Sequence, residues 1–440
     1  MSYAEAIQFL YGLRLFGAKF GLENTFKLAG LAGNPQKRLR FIHVAGTNGK
    51  GSTCAMLESI YRAAGLRVGL FTSPHLVSFR ERIQVNRRLI SEADVVRLVE
   101  QMQPWFQTFP ADHHPTFFEV VAVMALKFFA EQNCDLVIWE TGLGGRLDAT
   151  NIVTPLASVI TNVQFDHQQW LGDTLGKIAF EKAGIIKPGV PVITSAEEPE
   201  ALATIEKTAR ERNAPLTVVT ADVNPPQTAK ISVALSRAAA TLPLPGEHQR
   251  LNAELALATV EVLQNKIPVS AAAMRTGLES VNWPGRLQLV IRPSGQKILL
   301  DGAHNVAGAQ ALREALEKGF TAGKRTLILG VLQDKDWRHI CDTLAPLAAR
   351  IVAVRVSSER TADANELAAA CRVANAAAEV TTVDSMSGAL EKSADDEFVV
   401  VAGSLYLVGE ALEILGLAPG KSERALNEWQ MASHPVPVRR

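Results

Sequence analysis

Short apolar runs alternate along most of the chain with segments in which apolar residues recur every three or four positions. The apolar runs predict buried parallel strands, and the periodic segments predict helices. This alternation is typical of an α/β fold, in which helices cover both faces of a mostly parallel sheet. In the first half we expect strands at residues 41–45, 68–72, 136–140 and 156–161, and helices that include 50–64 and 117–132.

A second α/β series begins near Lys297, and Pro- and Gly-rich segments precede it. Its expected strands are 297–301, 326–330, 351–356 and 398–402, with helices such as 306–318 and 404–415. The segments W-P-G-R at 283–286 and R-P-S-G at 292–295 are typical of a boundary or hinge. We therefore expect one domain over residues 1–294, a smaller Rossmann-like domain over 295–420, and a loosely docked polar tail over 421–440.

Composition narrows the possible partners and location of the protein. A chain of 440 residues exceeds one ordinary core, which supports two domains. The 45 Lys and Arg residues balance 45 Asp and Glu residues, so neither a general nucleic-acid surface nor an anionic-membrane surface is expected. The scattered cysteines, the amphipathic first segment and the lack of a membrane-length apolar run predict a location in the cytoplasm. A monomer is the default expectation, because the sequence carries no signal of its oligomeric state.

The expected first strand runs directly into a glycine-rich loop, G-T-N-G-K-G-S-T at residues 46–53, and then into a helix. Glycines let backbone N–H groups approach phosphate oxygens, and a helix N-terminus adds partial positive charge. Lys50 then supplies a charge to the terminal phosphates, and Ser52 or Thr53 can reach Mg²⁺. The match to a standard P-loop is imperfect because Val44 replaces the first glycine and Gly51 separates Lys50 from the hydroxyls. The alternative is a glycine-rich turn that only caps a helix.

Two polar residues lie at the ends of strands that follow one another in the sequence. Glu140 ends the strand at 136–140, and His167 lies just past the strand at 156–161. The carboxyl ends of parallel strands face the crevice where α/β proteins bind ligands. Glu140 therefore suits a Mg²⁺ ligand, and His167 is either a ligand or a structural histidine.

Lys182 occupies an unexpected position on its predicted helix. Leu175, Ile178, Ala179, Lys182 and Ala183 share one face, whereas Lys177 and Glu181 point away from it. A lysine on an apolar face either extends its ammonium to solvent or has a buried role. The sequence pattern leaves both open.

The loop spelling resembles that of the Mur ligase superfamily, and the whole chain resembles the bacterial folylpolyglutamate synthase / dihydrofolate synthase family. Matching blocks occur in the family's order and run nearly end to end. They are F-I-H-V-A-G-T-N-G-K-G-S-T at 41–53, T-S-P-H-L-V-S-F-R-E-R-I at 72–83, E-T-G-L-G-G-R-L-D-A-T-N at 140–151, F-D-H-Q-Q-W-L-G at 165–172, I-A-F-E-K-A-G-I-I-K-P-G at 178–189, W-P-G-R at 283–286, L-D-G-A-H-N at 300–305, G-V-L-Q-D-K-D at 330–336 and G-S-L-Y-L at 403–407.

The resemblance implies roles for individual residues. Lys50, Lys182 and His167 would be catalytic, and Lys182 would carry a CO₂-derived carbamate. Two magnesium ions would be held by Ser52, Ser73, Glu140 and His167. The implied ATP-binding residues are Asn48, Gly49, Lys50, Gly51, Ser52, Thr53, Asn252, Arg286, Asp301 and His304. The implied folate-binding residues are Thr116, Phe117, Phe118, Gly145, Arg146 and Asp148.

The resemblance also implies the reaction. An ATP-dependent ligase would join L-glutamate to a folate-type carboxylate through an acyl phosphate, with dihydropteroate or a reduced folate as the acceptor. The segment G-L-E-N-T at 21–25 departs from the better-known bifunctional spelling, so a folylpolyglutamate synthase without the second activity stays open. A cell-wall Mur ligase, a nucleotide-binding switch and a scaffold protein are weaker alternatives. The residues that bind glutamate also stay open, with Lys335 and Arg360 as candidates.

Overall fold

The computed structural model describes residues 1–16, 21–110, 113–220, 242–320 and 324–427. The larger sheet has eight strands in the order β4-β3-β2-β5-β1-β6-β7-β8. These strands are β1 Phe41–Ala45, β2 Val68–Phe71, β3 Ile83–Val85, β4 Arg88–Leu89, β5 Leu136–Glu140, β6 Ala157–Ile160, β7 Val192–Thr194 and β8 Leu216–Val218.

The larger sheet is parallel except at one edge, where β3 pairs antiparallel with β2 and β4. Its central strand β1 lies between β5 and β6, with Val44 opposite Glu140 and Ala45 opposite Ile160. This register brings the loops that follow β1, β5 and β6 together at one edge of the sheet. That edge is where open α/β sheets bind ligands.

Helices cover both faces of this sheet and bury its apolar strands. One face packs under the amino-terminal helices, which are Tyr3–Gly12, Glu23–Leu31, Glu92–Met102 and Phe117–Glu131. The other face packs under the helices Lys50–Ala63, Glu247–Val262 and Ala271–Glu279. The remaining helices, Gln168–Leu171, Leu175–Ala183 and Pro199–Glu211, lie beside β6 to β8.

The smaller sheet has six strands in the order β13-β12-β11-β14-β10-β9. They are β9 Gln288–Ile291, β10 Lys297–Leu300, β11 Thr326–Leu329, β12 Arg350–Val354, β13 Glu379–Val383 and β14 Phe398–Ala402. Only β9 is antiparallel to its neighbour. The helices Val306–Gly319, Trp337–Leu344 and Ala364–Ala374 cover one face, and Met386–Lys392 and Leu405–Ile414 cover the other.

The α/β fold class predicted from the hydrophobic pattern is confirmed, and the named strands begin and end within two residues of their expected bounds. The domain limits differ in two places. Strand β9 precedes the predicted boundary at Gly295 yet belongs to the smaller sheet, because it is an antiparallel edge strand with alternating exposure instead of a buried apolar run.

The predicted tail is the second difference. The 3₁₀ turn Arg424–Asn427 is docked, and Arg424, Leu426 and Asn427 are all buried. Leu426 belongs to the hydrophobic core of the first domain, which is the physical reason that the segment packs. Residues 428–440 lie outside the described residues. Within the described part of the chain, no helix is long and apolar enough to cross a membrane.

Candidate active site

A cleft between the two sheets collects most of the residues that the sequence singled out. It encloses about 2570 Å³, including its opening to solvent. The predicted residues that line it are Asn48, Gly49, Lys50, Gly51, Ser52, Ser73, Thr116, Phe117, Phe118, Glu140, Asp148, His167, Lys182, Asn252, Arg286, Asp301 and His304.

The shape of the phosphate loop depends on a close neighbour and on a lysine of the loop itself. Gly49 has φ +83° at the start of the helix Lys50–Ala63, and a Cβ at this position would lie 2.4 Å from Oδ1 of Asn252. Glycine is therefore required both for the left-handed backbone and for the close approach of Asn252. The Lys50 ammonium donates to the carbonyl oxygens of Gly46 and Thr47, each at 3.0 Å, and so closes the loop on itself.

Glu140 is a buried carboxylate at the end of β5, 3% exposed. Its Oε2 accepts the backbone N–H of Ser73 at 3.0 Å, and no basic side chain among the described residues forms an ion pair with it. Burial raises the pKa of Glu140 to about 7. A buried carboxylate without a counter-ion beside a phosphate loop is suited to a bound cation.

Lys182 is also buried, at 3% exposure, on the helix Leu175–Ala183 that Thr174 caps. Its ammonium donates to the carbonyl oxygen of Gly46 at 2.8 Å. Burial, reinforced by the Lys50 charge, lowers the pKa of Lys182 to about 7. The side chain therefore does not extend to solvent, and near neutral pH a substantial fraction of the amine is unprotonated.

The two domains meet in a polar network around Asp166. Its carboxylate accepts from Lys335 Nζ at 2.6 Å and from Asn305 Nδ2 at 3.0 Å. Asn305 and Asn48 exchange side-chain amide hydrogen bonds at 3.0 and 3.1 Å, which joins the phosphate loop to the second domain. Burial alone would raise the pKa of Asp166, but His167, Lys335 and His304 outweigh it and hold the pKa well below its usual range.

His167 lies beside this network in a left-handed conformation, with φ +51°. Burial, with Lys335 nearby, lowers the pKa of His167 to about 3, so its imidazole is neutral. Its Nε2 lies 3.5 Å from Lys335 Nζ. A metal ion at this nitrogen would require Lys335 to move.

Arg286 lies in the segment that connects the two sheets, and Asp301 directly follows β10 of the smaller sheet. The carboxylate of Asp301 accepts the backbone N–H of Leu287 and of Ala303, both at 2.9 Å. Arg286 lies against the next loop, because a Cβ at Gly302 would be 2.1 Å from its Nη1. Asp301 thus fixes the backbone that carries Arg286 into the cleft.

An aromatic wall forms the opposite side of the cleft. Thr116 caps the helix Phe117–Glu131 and places Phe117 and Phe118 in its first turn, at the cleft surface. Asp148 accepts the backbone N–H groups of Gly142 and Leu143, at 3.0 and 2.8 Å, and so shapes the glycine-rich loop that faces these rings. The arrangement presents flat apolar surface beside polar groups.

Comparison with known proteins identifies the family. Residues 44–260 match the Mur ligase middle domain, and residues 285–405 match the Mur ligase glutamate ligase domain. The dihydrofolate synthase/folylpolyglutamate synthase of Bacillus subtilis is 36% identical over 423 residues, which span 93% of this chain and 98% of that protein. The chain belongs to the dihydrofolate synthase/folylpolyglutamate synthase family of Mur ligases.

Solved structures of this family share the whole fold. Folylpolyglutamate synthase from Thermotoga maritima has a TM-score of 0.82 at 35% identity, with 97% of this chain and 99% of that one covered. E. coli FolC in complex with DHPP and ADP has a TM-score of 0.82 at 30% identity, covering 94% and 98%. The Mycobacterium tuberculosis folylpolyglutamate synthase complexed with ADP and AMPPCP has a TM-score of 0.84 at 30% identity, covering 95% and 100%.

Three of the residues implied by family resemblance lie outside the cleft lining. Thr53 is fully buried beneath the loop, so Ser52 is the hydroxyl that reaches the cleft. Gly145 packs against the end of the Lys182 helix. Arg146 turns away to pair with Glu181 at 2.8 Å, because that carboxylate and the Phe180 ring hold its guanidinium at the surface.

Several residues in or beside the cleft of this family member were not assigned from the sequence. Asp166, Asn305, Arg82 and Asn427 have no role in the pattern analysis, and Lys335 was only a candidate. The blocks F-D-H-Q, L-D-G-A-H-N and F-R-E-R-I contain the first three, so motif membership was an available signal. Asn427 lies in a segment without any such signal.

The residues present also fit a magnesium site. Within the described ranges, no cluster of three or more His, Cys, Asp or Glu side chains could hold a metal alone. Mg²⁺ does not need such a cluster, because it keeps waters and binds through one or two carboxylates together with substrate phosphates. The carboxylate of Glu140, which accepts the Ser73 N–H and lines the cleft together with Ser52, meets that requirement.

Proposed function

We propose that this chain is an ATP-dependent ligase that joins L-glutamate to the carboxylate of dihydropteroate and of reduced folates. The observation that carries the proposal is one continuous cleft, lined by the phosphate loop, the aromatic wall and the second domain. Such a cleft can hold a nucleotide, a flat aromatic acid and an amino acid in reach of one another. Relatives with both activities align over nearly the whole chain.

The reaction has two steps that use the same cleft. The acceptor carboxylate attacks the γ-phosphorus of ATP, which forms an acyl phosphate and releases ADP. The amine of glutamate then attacks the acyl carbon, which forms the amide and releases phosphate. Both steps depend mainly on positioning and on stabilisation of negative charge.

The phosphate loop and the second domain supply complementary parts of this chemistry. Lys50 and the N–H groups at the start of its helix neutralise the terminal phosphates. Arg286 enters from the connecting segment that Asp301 fixes, so it contributes when the domains are closed. The two domains are held in contact by hydrogen bonds among Asn48, Asn305, Asp166 and Lys335. This contact excludes water, which would otherwise hydrolyse the acyl phosphate.

Ser52, Ser73, Glu140 and His167 would hold Mg²⁺ in this scheme, with His167 engaged only after Lys335 moves. When bound, Mg²⁺ supplies positive charge at the transferring phosphoryl group. Lys182 would be carbamylated. Its burial supports this modification, because a lowered pKa exposes the neutral amine that reacts with CO₂ and because an anion suits the neighbourhood of a metal better than an ammonium. We further propose a location in the cytoplasm, which the four free cysteines support, with a monomer as the default state.

Phosphate release from ATP tests the function directly. We expect release that requires both glutamate and a pteroate-type acid, measured side by side with dihydropteroate and with tetrahydrofolate. Release with tetrahydrofolate alone would restrict the enzyme to polyglutamylation. Release with neither substrate added would instead indicate a nucleotide-hydrolysing switch and contradict the proposal.

A further inference from the structure

Arg82 is a buried cation of the cleft that the reaction scheme above does not use. Its side chain is 3% exposed, lies at the end of the 3₁₀ turn Phe79–Arg82 and lines the cleft. No carboxylate of the described residues forms an ion pair with it. Its neighbour Glu81 is instead occupied by the backbone N–H groups of Leu76, Val77 and Ser78. Glu81 and Glu140 attract this charge from a distance, but a buried guanidinium that no carboxylate contacts is costly and is suited to an anionic ligand.

The Arg82 guanidinium is held by hydrogen bonds on two of its nitrogens. Nε donates to Nδ1 of His75 at 2.9 Å, and one terminal nitrogen donates to Oδ1 of Asn427 at 2.5 Å. His75 can accept this bond because its other nitrogen, Nε2, donates to the carbonyl oxygen of Glu423 at 3.0 Å. In the described part of the chain Nη1 donates no hydrogen bond, so this nitrogen has donor capacity for a ligand.

The residues that hold Arg82 in place are themselves held by residues 423–427, which we call the C-terminal strap. Glu423 accepts from the Ser78 hydroxyl at 3.1 Å and from the Phe79 N–H at 2.6 Å. Asn427 also donates to the carbonyl oxygen of His75 at 2.9 Å. At the other end, Arg424 pairs with Glu413 on the helix Leu405–Ile414 of the second domain. The strap therefore fixes Arg82 from two sides and ties it to both domains.

The position of Arg82 favours the carboxylate of an acid on the aromatic wall over the nucleotide phosphates as its ligand. Its guanidinium lies 5.4 Å from the ring centroid of Phe117, on the aromatic wall of the cleft. In the sheet order β3-β2-β5-β1, Glu140 at the end of β5 lies between Arg82 and the phosphate loop. At roughly 4.8 Å per strand, Arg82 is about three strands away from that loop. An acid bound on the aromatic wall is thus nearer to Arg82 than the nucleotide phosphates of the loop are.

We propose that Arg82, positioned by His75 and Asn427, binds the carboxylate of the acceptor substrate before and during its phosphorylation. The inference rests on the proposed function, because it takes the acceptor to be a pteroate-type acid on the aromatic wall. Arginine suits this role since its fork of N–H donors matches a carboxylate. We class His75 and Asn427 as positioning residues, because both accept hydrogen bonds from the Arg82 guanidinium.

A comparison of two ligands on two proteins tests the assignment. Dihydropteroate and its carboxamide analogue are titrated into the wild type and into Arg82→Gln, with ATP affinity and thermal unfolding as folding controls. We expect wild type to prefer the acid, and Arg82→Gln to lose roughly 10- to 100-fold in affinity for the acid but little for the amide. Equal losses for both ligands, or unchanged discrimination, would overturn the proposal.

Two further variants keep the test decisive if Arg82→Gln does not fold. Arg82→Lys retains a charge, so it should recover part of the preference for the acid over the amide. Asn427→Leu keeps a similar volume but releases the guanidinium, so the KM for the acceptor should rise while the KM for ATP stays unchanged. An unchanged acceptor KM in Asn427→Leu contradicts the strap's role. Failure of the wild type to bind dihydropteroate would instead overturn the proposed function itself.

Discussion

Three buried charged side chains, Lys182, Glu140 and Arg82, define the chemistry of the cleft at the residue scale. Each is 3% exposed, and none forms an ion pair with an opposite charge among the described residues. An uncompensated buried charge costs several kcal/mol, so a protein retains such groups where a ligand or a modification supplies the missing charge. Their environments therefore indicate a cation at Glu140, an anion at Arg82, and a neutral or modified amine at Lys182.

Replacement of Lys50 by alanine tests the phosphate-loop assignment. We expect Lys50→Ala to remain folded and to lose turnover by about 100-fold or more, because one positioned charge at a phosphoryl-transfer site contributes roughly 3 kcal/mol. The measurement is kcat for phosphate release. Lys177→Ala is the matched control, since among the described residues its ammonium pairs only with exposed Asp173. Near-normal turnover in Lys50→Ala would remove the assignment.

The burial of Lys182 predicts a pH-dependent stability effect in CO₂-free buffer. Its pKa is about 7 in the folded protein against 10.5 for the ordinary side chain. Between these values the unfolded chain binds a proton that the folded protein does not, so stability rises with pH. Below pH 7 both states carry the charge, and the folded protein bears its full burial cost.

Lys182→Met should therefore increase the free energy of unfolding at pH 6.5 by on the order of a few kcal/mol, which is seen as a higher thermal unfolding midpoint. This gain in stability over the wild type should shrink toward pH 10. Exposed Lys177→Met is the control and should change little at either pH. An advantage of equal size at both pH values would show that the amine of Lys182 does not titrate as its burial requires.

At the element scale, the site depends on how strands end. The loops after β1, β5 and β6 meet because the parallel register places Val44 beside Glu140 and Ala45 beside Ile160. The helix that follows β1 then directs its N-terminus at the same place. A strand–loop–helix unit of this kind binds phosphate through backbone geometry, so its glycines matter as much as its lysine.

Alanine substitutions at two glycines with similar φ angles distinguish the effect of backbone strain from an effect on ATP binding. Gly49→Ala should weaken ATP binding by at least 10-fold, because φ is +83° and the new Cβ would lie 2.4 Å from Asn252 Oδ1. Gly65 has φ +89° at the other end of the same helix, with nothing within 4 Å of its Cβ position. Gly65→Ala should cost about 1 kcal/mol of stability and leave nucleotide affinity unchanged. Equal ATP affinities in the two variants would contradict the loop's role.

At the scale of the whole molecule, the cleft exists only when both domains are in contact. Asp166 accepts from Lys335 and Asn305, and Arg424 in the strap pairs with Glu413. The connecting segment around Arg286 provides the third crossing. Because these contacts lie at separate places, they restrain the domains against wide opening. A closed cleft protects the acyl phosphate from hydrolysis.

Asp301→Ala tests whether the second domain contributes to nucleotide binding. The substitution leaves the N–H groups of Leu287 and Ala303 without their acceptor and frees the backbone beside Arg286. We expect ATP affinity to fall by roughly 10-fold, in line with the 1–3 kcal/mol cost of an unsatisfied buried group. Calorimetric titration with ATP measures this, with exposed Asp384→Ala in the same domain as the control. Unchanged affinity in Asp301→Ala would argue against a nucleotide site between the domains.

The sequence by itself determined the local features of this protein. Apolar runs specified the buried strands, the segment at 46–53 specified a glycine-rich loop between strand and helix, and helical spacing placed Lys182 on a buried face. Each of these depends on residues within about two turns or one strand of one another. Local sterics and burial therefore suffice to decide them. The hydrophobic pattern did not predict the antiparallel edge strand β9, because alternating exposure leaves only a weak apolar signal.

Only the tertiary structure decided which distant side chains meet. Arg82 and Asn427 are 345 positions apart, and Asp166 and Lys335 are 169 apart. The surface position of Arg146 and the docking of residues 424–427 were set in the same way, by partners that no local pattern predicts. Contacts at such separations depend on strand order and domain packing, since the free energy that selects them comes from burial shared by the whole molecule.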